Sequence, residues 1–291
     1  MKKIATIQDI SCFGKCSLTV ALPVISAMGV EACIVPTAVL STNTLYPDYH
    51  FRDLTHDIQP ILEHWKRQHL SFDALYTAFL GSLEQIDLMK RFLDDFDHEG
   101  AIKVVDPCMA DDGRFYPGFT PAYAEAMRSL CSKADIIVPN MTEACFLLGK
   151  PYKAIGYDLA YIQAMLRQLT DLGAHKVVLK SVQFDRLQDG LPDTTGKMGI
   201  MALDADTGEF SYYFHEKMAE SFHGTGDIYA SVLTGALVRG MTLQQAYSLA
   251  ADFVVEAIRV TIARPDHDAL RIDFENALPY LIGRLAKAAG K

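Results

Sequence analysis

Three things are scarce in this chain of 291 residues. No stretch approaches the ~18–20 uninterrupted apolar residues of a membrane-spanning helix, so no such helix is expected. The six cysteines (Cys12, Cys16, Cys33, Cys108, Cys131, Cys145) include no Cys-x-x-Cys pair, and most sit beside apolar residues. They read as reduced structural thiols rather than as a zinc site or a disulfide framework. Basic residues are in deficit, with Lys+Arg 27 against Asp+Glu 36 and a formal net charge of −9. Such a surface repels a nucleic-acid backbone unless basic residues cluster, and no cluster is present, so nucleic acid is excluded as an expected partner. Behind Lys2 and Lys3 come only about five mostly apolar residues, too few for a signal peptide, which makes a cytoplasmic protein the expectation.

What is present is an ordinary folding composition, 50% hydrophobic and 22% charged. Compact apolar runs at Lys3–Gln8, Ala32–Val35, Ala74–Phe79, Ile102–Asp106, Asp135–Val138 and Lys176–Lys180 alternate with helical patterns near 54–68, 83–96 and 158–172. That alternation is the signature of βαβ units, so the expected class is α/β with a mostly parallel sheet and helices on both faces. Lys197–Leu203 and Glu209–His215 read as an antiparallel hairpin, and the last third is helical. With no repeat, low-complexity segment or convincing linker, one domain over 1–291 is expected.

The most informative stretch is His223-Gly224-Thr225-Gly226-Asp227, which runs into an apolar helix. Glycines at a helix N-terminus let backbone N–H groups converge on an anion at the positive end of the helix dipole. A carboxylate there is a poor phosphate ligand and a good acceptor for a proton from an attacking hydroxyl. The plainer reading, a glycine turn followed by an ordinary first-turn acid, stays open on local rules. Gly224-x-Gly226 matches only the opening of a dinucleotide fingerprint, and helix follows helix here, which argues against it; Gly14-Lys15 lacks the rest of a Walker loop. His223 reads either as a nucleotide contact or as a hydrogen-bonding residue of the turn.

Other candidates lie at strand ends, where open α/β sheets bind ligands. Asp106, fixed by Pro107, would face a metal or a phosphate-bound water. Asn140 and Glu143 share one side of a first helical turn, and the same pair could be a capping box. Lys180 could neutralise nucleotide phosphates or be a plain strand end. The Asp111-Asp112-Gly113 loop has the composition of a cover.

Taken in order, Ile7-Gln8 with Phe13-Gly14, the segment Ser41-Thr42-Asn43-Thr44-Leu45-Tyr46, Phe79-Leu80-Gly81-Ser82, Val105-Asp106-Pro107, Pro139-Asn140-x-x-Glu143 and Gly224-Thr225-Gly226-Asp227 resemble the pyridoxal/pyridoxamine kinases of the ribokinase-like superfamily over nearly the whole chain. The resemblance implies the ribokinase-like three-layer fold and transfer of a phosphoryl group from ATP to the 5′-hydroxymethyl group of a vitamin B6 vitamer. Asp227 would be the base, with Gly224, Thr225 and Gly226 as the anion hole. Asp106 and Glu143 would support Mg²⁺, Asn140 and Lys180 would lie near the phosphates, and Asp9, Ser11, Thr44, Tyr46 and Phe79 would line the substrate. A homodimer is also implied, and a monovalent-cation requirement is left open.

Two positions depart from that pattern: Asp9 stands where many relatives have serine, and Phe79 where they often have tyrosine. The rivals are a hydroxymethylpyrimidine kinase, whose relatives carry cysteine at the position of Asp227, a sugar kinase, and a nucleotide-binding protein without catalysis. A sugar kinase would bring an early glycine-rich lid, and there is no glycine between Ile34 and Pro60.

Overall fold

The computed structural model describes residues 1–268 and 270–288. In chain order its elements are β1 (Lys3–Ser11), α1 (Leu18–Ala27), β2 (Glu31–Leu40), β3 (Phe51–Asp53), α2 (Thr55–Arg67), β4 (Ala74–Thr77), α3 (Leu83–Asp95), β5 (Ile102–Val105), β6 (Ala110–Asp111), β7 (Arg114–Phe115) and α4 (Pro121–Cys131). There follow β8 (Ile136–Ile137), α5 (Met141–Leu147), α6 (Leu159–Thr170), β9 (Lys176–Val182), β10 (Lys197–Asp204), β11 (Glu209–Glu216), α7 (Thr225–Val238), α8 (Leu243–Ile262), a 3₁₀ turn (Phe274–Ala277) and α9 (Leu278–Ala288). The class is α/β, with mostly parallel strands flanked by helices, as the sequence leads one to expect.

The chain packs as two compact units, one of Met1–Gly81, Asp95–Ala101 and Met218–Lys291, the other of Ser82–Asp94 and Ile102–Lys217. The chain passes into the second unit at Ser82, returns to the first for Asp95–Ala101, leaves again at Ile102 and comes back at Met218, so no single composition shift marks a boundary. In the first unit the strands run β4-β1-β2-β3, parallel except for the short β3 on the edge. In the second they run β5-β8-β9-β10-β11, parallel through β9 and antiparallel beyond.

Strand β1 is buried along most of its length, which is why it reads as an apolar run rather than as an alternation. It continues past Gln8 to Ser11, carrying two further polar residues, Asp9 and Ser11, into the interior. A register shift between Gln8 and Ile10 sits opposite Pro36 in β2, where a residue without an N–H must break the ladder. Helix α1 packs on β1, β2 and α7, and α7 packs on α8. Its apolar residues point several ways, so no amphipathic period marks it in the sequence. Capping boxes open α5 (Asn140 with Glu143) and α8 (Thr242 with Gln245), and Asp158 caps α6 by accepting from Tyr161 N–H.

Candidate active site

The residues singled out in the sequence gather in two groups, one in each unit. In the first unit Asp9 and Ser11 end β1, Asp227 lies in the first turn of α7, and the Cys12–Ser17 loop joins them. Asp227 Oδ2 accepts a hydrogen bond from Ser17 N–H at 2.9 Å. Ser11 Oγ donates to Asp9 Oδ2 at 3.1 Å. The thiol of Cys16 is buried between these acids: desolvation first, then the charges of Asp227 and Asp9, push its pKa far above the ordinary thiol range. It is an inert thiol, not a nucleophile. Burial likewise raises the pKa of Asp9, with Ser17 and Ser11 opposing the shift by hydrogen bonding.

Gly224 caps α7 in the left-handed region, with φ 87°. Only glycine fits there, because a Cβ would stand 2.3 Å from the carbonyl oxygen of Lys15. Gly226 is different: a Cβ would meet nothing within 4 Å, and its φ is not left-handed. The first bond of the α7 ladder runs from Ile228 N–H to Gly224 O at 3.0 Å, so the N–H groups of Thr225 and Gly226 lie outside that ladder, at the positive end of a 14-residue helix. The hydroxyl of Thr225 donates to Phe222 O at 3.1 Å, which fixes the turn. Burial lowers the pKa of the neighbouring His223, so its imidazole is neutral at physiological pH.

The remaining substrate candidates also fall in this unit. Thr44 is exposed, Phe79 is half-buried just beyond β4, and the hydroxyl of Tyr46 donates to Asp268 Oδ2 at 3.1 Å. Phe13 stands edge-on to Tyr46, with ring centroids 5.7 Å apart, and Arg271 lies 4.5 Å from the Phe13 centroid.

In the second unit Asp106, just past β5, receives Lys180 Nζ at 3.1 and 3.2 Å on its two oxygens. Glu143 accepts from Met109 N–H at 3.1 Å and from Asn140 N–H at 2.8 Å. Asn140 accepts from Glu143 N–H and donates to Ala110 O, both at 2.9 Å. The capping box is therefore real, and it occupies both side chains. Burial first, and the charge of Asp106 second, push Glu143 up to about 7. Asp106 is also raised by burial, against the pull of Lys180. Burial alone would lower Lys180, but Asp106 and Glu143 more than compensate, so it stays protonated. Two buried carboxylates thus face one ammonium, a set with an excess of hard oxygen donors. That chemistry fits Mg²⁺, which is commonly held by one or two carboxylates with phosphate and water completing its shell. The Asp111-Asp112-Gly113 segment forms the tight turn of the β6/β7 ribbon, with φ 46° at Asp112 and 75° at Gly113, and Gly113 N–H donates to Thr142 Oγ1 at 3.0 Å.

Sequence reasoning missed Ser17, Lys15 and Asn43 as parts of the first group. Ser17 acts through its backbone N–H, which has no residue-type signature, and the Gly14-Lys15 pair drew notice only as a failed phosphate loop.

Comparison with known proteins accords with this geometry. A Bordetella avium pyridoxine/pyridoxal/pyridoxamine kinase is 27% identical over 270 residues, 89% of this chain and 85% of that one. A Haemophilus influenzae hydroxymethylpyrimidine/phosphomethylpyrimidine kinase is 30% identical over 259 residues, 89% of this chain and 91% of that one. A provisionally named phosphomethylpyrimidine kinase from Bacteroides thetaiotaomicron, crystallised with pyridoxal, superposes with a TM-score of 0.88 at 36% identity, covering 96% of this chain and 95% of its own. Residues 18–270 match the phosphomethylpyrimidine kinase family, and the chain belongs to that family of ribokinase-like kinases.

Proposed function

We propose that the protein transfers the γ-phosphoryl group of ATP to the 5′-hydroxymethyl group of a vitamin B6 vitamer, pyridoxal, pyridoxamine or pyridoxine. One observation carries the proposal: the Asp227 carboxylate is held by Ser17 N–H in the first turn of a helix whose leading N–H groups, at Thr225 and Gly226, lie outside its own ladder. A carboxylate so fixed accepts the hydroxyl proton as the new O–P bond forms and the bond to the ADP leaving group breaks. The N–H groups of Thr225 and Gly226 stabilise the charge on the transferring phosphoryl oxygens. Asp9, Ser11, Thr44, Tyr46 and Phe79 line the substrate; Phe79 supplies an aromatic face without a hydroxyl.

Asp106 and Glu143 would hold Mg²⁺, which neutralises charge on the nucleotide phosphates when bound. Lys180 adds a fixed positive charge beside Asp106, and Asn140 orients Glu143 through the capping box. Net charge of −9 is then no obstacle to a polyphosphate substrate, because backbone N–H groups, a metal and one lysine receive it in place of a basic surface. On this reading the protein acts in the cytoplasm as a homodimer, on small molecules alone.

The Bacteroides protein's pyridoxal complex and the name of the Bordetella relative support vitamin B6 over its nearest rival, hydroxymethylpyrimidine. The Haemophilus relative favours that rival, so a substrate panel decides. ADP release is measured with pyridoxal, pyridoxamine, pyridoxine, hydroxymethylpyrimidine and ribose, for the native chain and for Asp227→Asn. The asparagine keeps an oxygen for Ser17 N–H and removes the base, so B6 turnover falls by roughly 10²–10⁴-fold while ATP still binds. Near-normal turnover by that variant would sink the assignment, and preferred turnover of hydroxymethylpyrimidine would move it to the rival substrate.

A further inference from the structure

The loop between β1 and α1 adopts a conformation that its own residues disfavour. Gly14, Lys15 and Ser17 have φ of 114°, 53° and 53°, and for lysine and serine the left-handed region brings Cβ against a carbonyl oxygen. Backbone of this kind persists only where its surroundings over-determine it. Here Asn43 supplies two hydrogen bonds, Nδ2 to Gly14 O at 3.0 Å and N–H to Phe13 O at 2.9 Å. The third tie is electrostatic and comes from far along the chain: Lys15 Nζ sits 2.8 Å from Asp273 Oδ1 and 2.8 Å from Glu275 Oε2. Asp273 is itself fixed, by Arg264 at 2.5 Å and by its own N–H donating to Thr261 Oγ1 at 2.8 Å.

The second half of this loop meets the turn that opens α7. Ser17 N–H donates to Asp227, and the carbonyl of Lys15 forms the floor under Gly224, so close that no Cβ could stand there. Lys15 points its ammonium at Asp273 and Glu275, so it serves the site through its backbone and not as a phosphate ligand.

We propose that the Lys15–Asp273 ion pair is a positioning device for the base, locking the strained loop so that Ser17 N–H fixes the Asp227 carboxylate and Lys15 C=O fixes the anion-binding turn. The proposal rests on the reading of Asp227 as base for its kinetic consequence, but not for its structural one. Loss of the ammonium lets Lys15 and Ser17 relax to ordinary backbone angles, and the carboxylate loses its N–H partner. Cys16, buried between the two residues, is a built-in reporter, since a relaxed loop exposes it.

The test compares the native chain with Lys15→Met, Lys15→Arg and Asp273→Asn. Two readouts are taken: the rate of Cys16 alkylation by iodoacetamide, located by fragment mass spectrometry, and kcat and KM from ADP release. Lys15→Met and Asp273→Asn are expected to raise Cys16 alkylation and lower kcat by about tenfold or more each, with KM for ATP within about twofold, as a misplaced catalytic group demands. Lys15→Arg keeps the ion pair and should match the native chain in both. If Lys15→Met does not fold, Asp273→Asn, which alters no atom of the loop, carries the same test. Unchanged Cys16 reactivity in a folded Asp273→Asn variant overturns the proposal, as does a loss of kcat shared equally by Lys15→Arg. A native chain that phosphorylates none of the five acceptors refutes the reading of Asp227 instead, and Cys16 reactivity then still decides whether the ion pair holds the loop.

Discussion

The two glycines before Asp227 should separate stability from activity when each is replaced by alanine. At Gly224 the added Cβ meets Lys15 O at 2.3 Å in a residue with φ 87°. The left-handed conformation alone costs an alanine roughly 1–2 kcal/mol, and the clash with backbone, which cannot rotate aside, adds to it. Gly224→Ala should therefore melt lower by several degrees as well as lose activity. At Gly226 a Cβ meets nothing within 4 Å, and the residue lies inside the first turn of α7. Alanine there stiffens the unfolded chain and favours helix, worth about 0.5–1 kcal/mol in the stabilising direction. On the proposed reading the same methyl narrows the space over N–H groups that a phosphoryl oxygen would have to approach to about 2.7–2.9 Å. Gly226→Ala should thus hold or raise its Tm while kcat/KM falls by about 10²-fold, the size of effect seen when a donor to a developing oxyanion is lost. Thermal melts and the ADP-release assay on one preparation read both quantities. Full activity in Gly226→Ala would show that the phosphoryl group does not pass over this turn, and the anion-hole assignment would fall with it.

Three further outcomes are expected. Glu143 is held near 7 in the folded chain against 4.5 unperturbed, so the folded state binds its proton more tightly than the unfolded state. Its contribution is complete below pH 4.5 and is lost as pH rises through 7, by at most roughly 3 kcal/mol. Urea midpoints at pH 5 and 7.5 should accordingly show the margin of the native chain over Glu143→Gln shrinking with pH, and a margin that grows would contradict the assigned direction. Lys180→Met leaves the buried Asp106 without its ammonium and should cost about 3 kcal/mol at pH 8, less at pH 5, where burial helps Asp106 to take up a proton; equal losses at the two pH values would mean that the pair is not electrostatic. Asp9→Ser should shift preference among pyridoxal, pyridoxamine and pyridoxine more than it changes KM for ATP, and an equal effect on both would place Asp9 away from the substrate ring.

Much of this protein is legible in its amino-acid sequence. Apolar runs of four to six residues separated by amphipathic helices specify buried parallel strands, and the helices expected near 54–68, 83–96 and 158–172 occur at Thr55–Arg67, Leu83–Asp95 and Leu159–Thr170. Gly224 to Asp227 could be picked out because glycine and acid types at a helix start carry a chemical meaning of their own. Asn140 and Glu143 were legible as a pair but not in their role, since a capping box and a ligand pair have the same spacing. The edge strand Phe51–Asp53 and the ribbon Ala110–Asp111 with Arg114–Phe115 were not legible, being too short to show a period.

The amino-acid sequence by itself therefore determined the class of fold, the helix that opens on Gly224 and the identity of the acid at its start, because periodicity and residue type are local properties. Only the tertiary structure decided what holds that acid. Ser17 donates to Asp227 across 210 positions of sequence, and Lys15 reaches Asp273 across 258, through a backbone N–H and a surface-type charge that leave no pattern in the chain. Strained backbone is stabilised by whatever packs against it, and which distant residues arrive there is set by the fold as a whole.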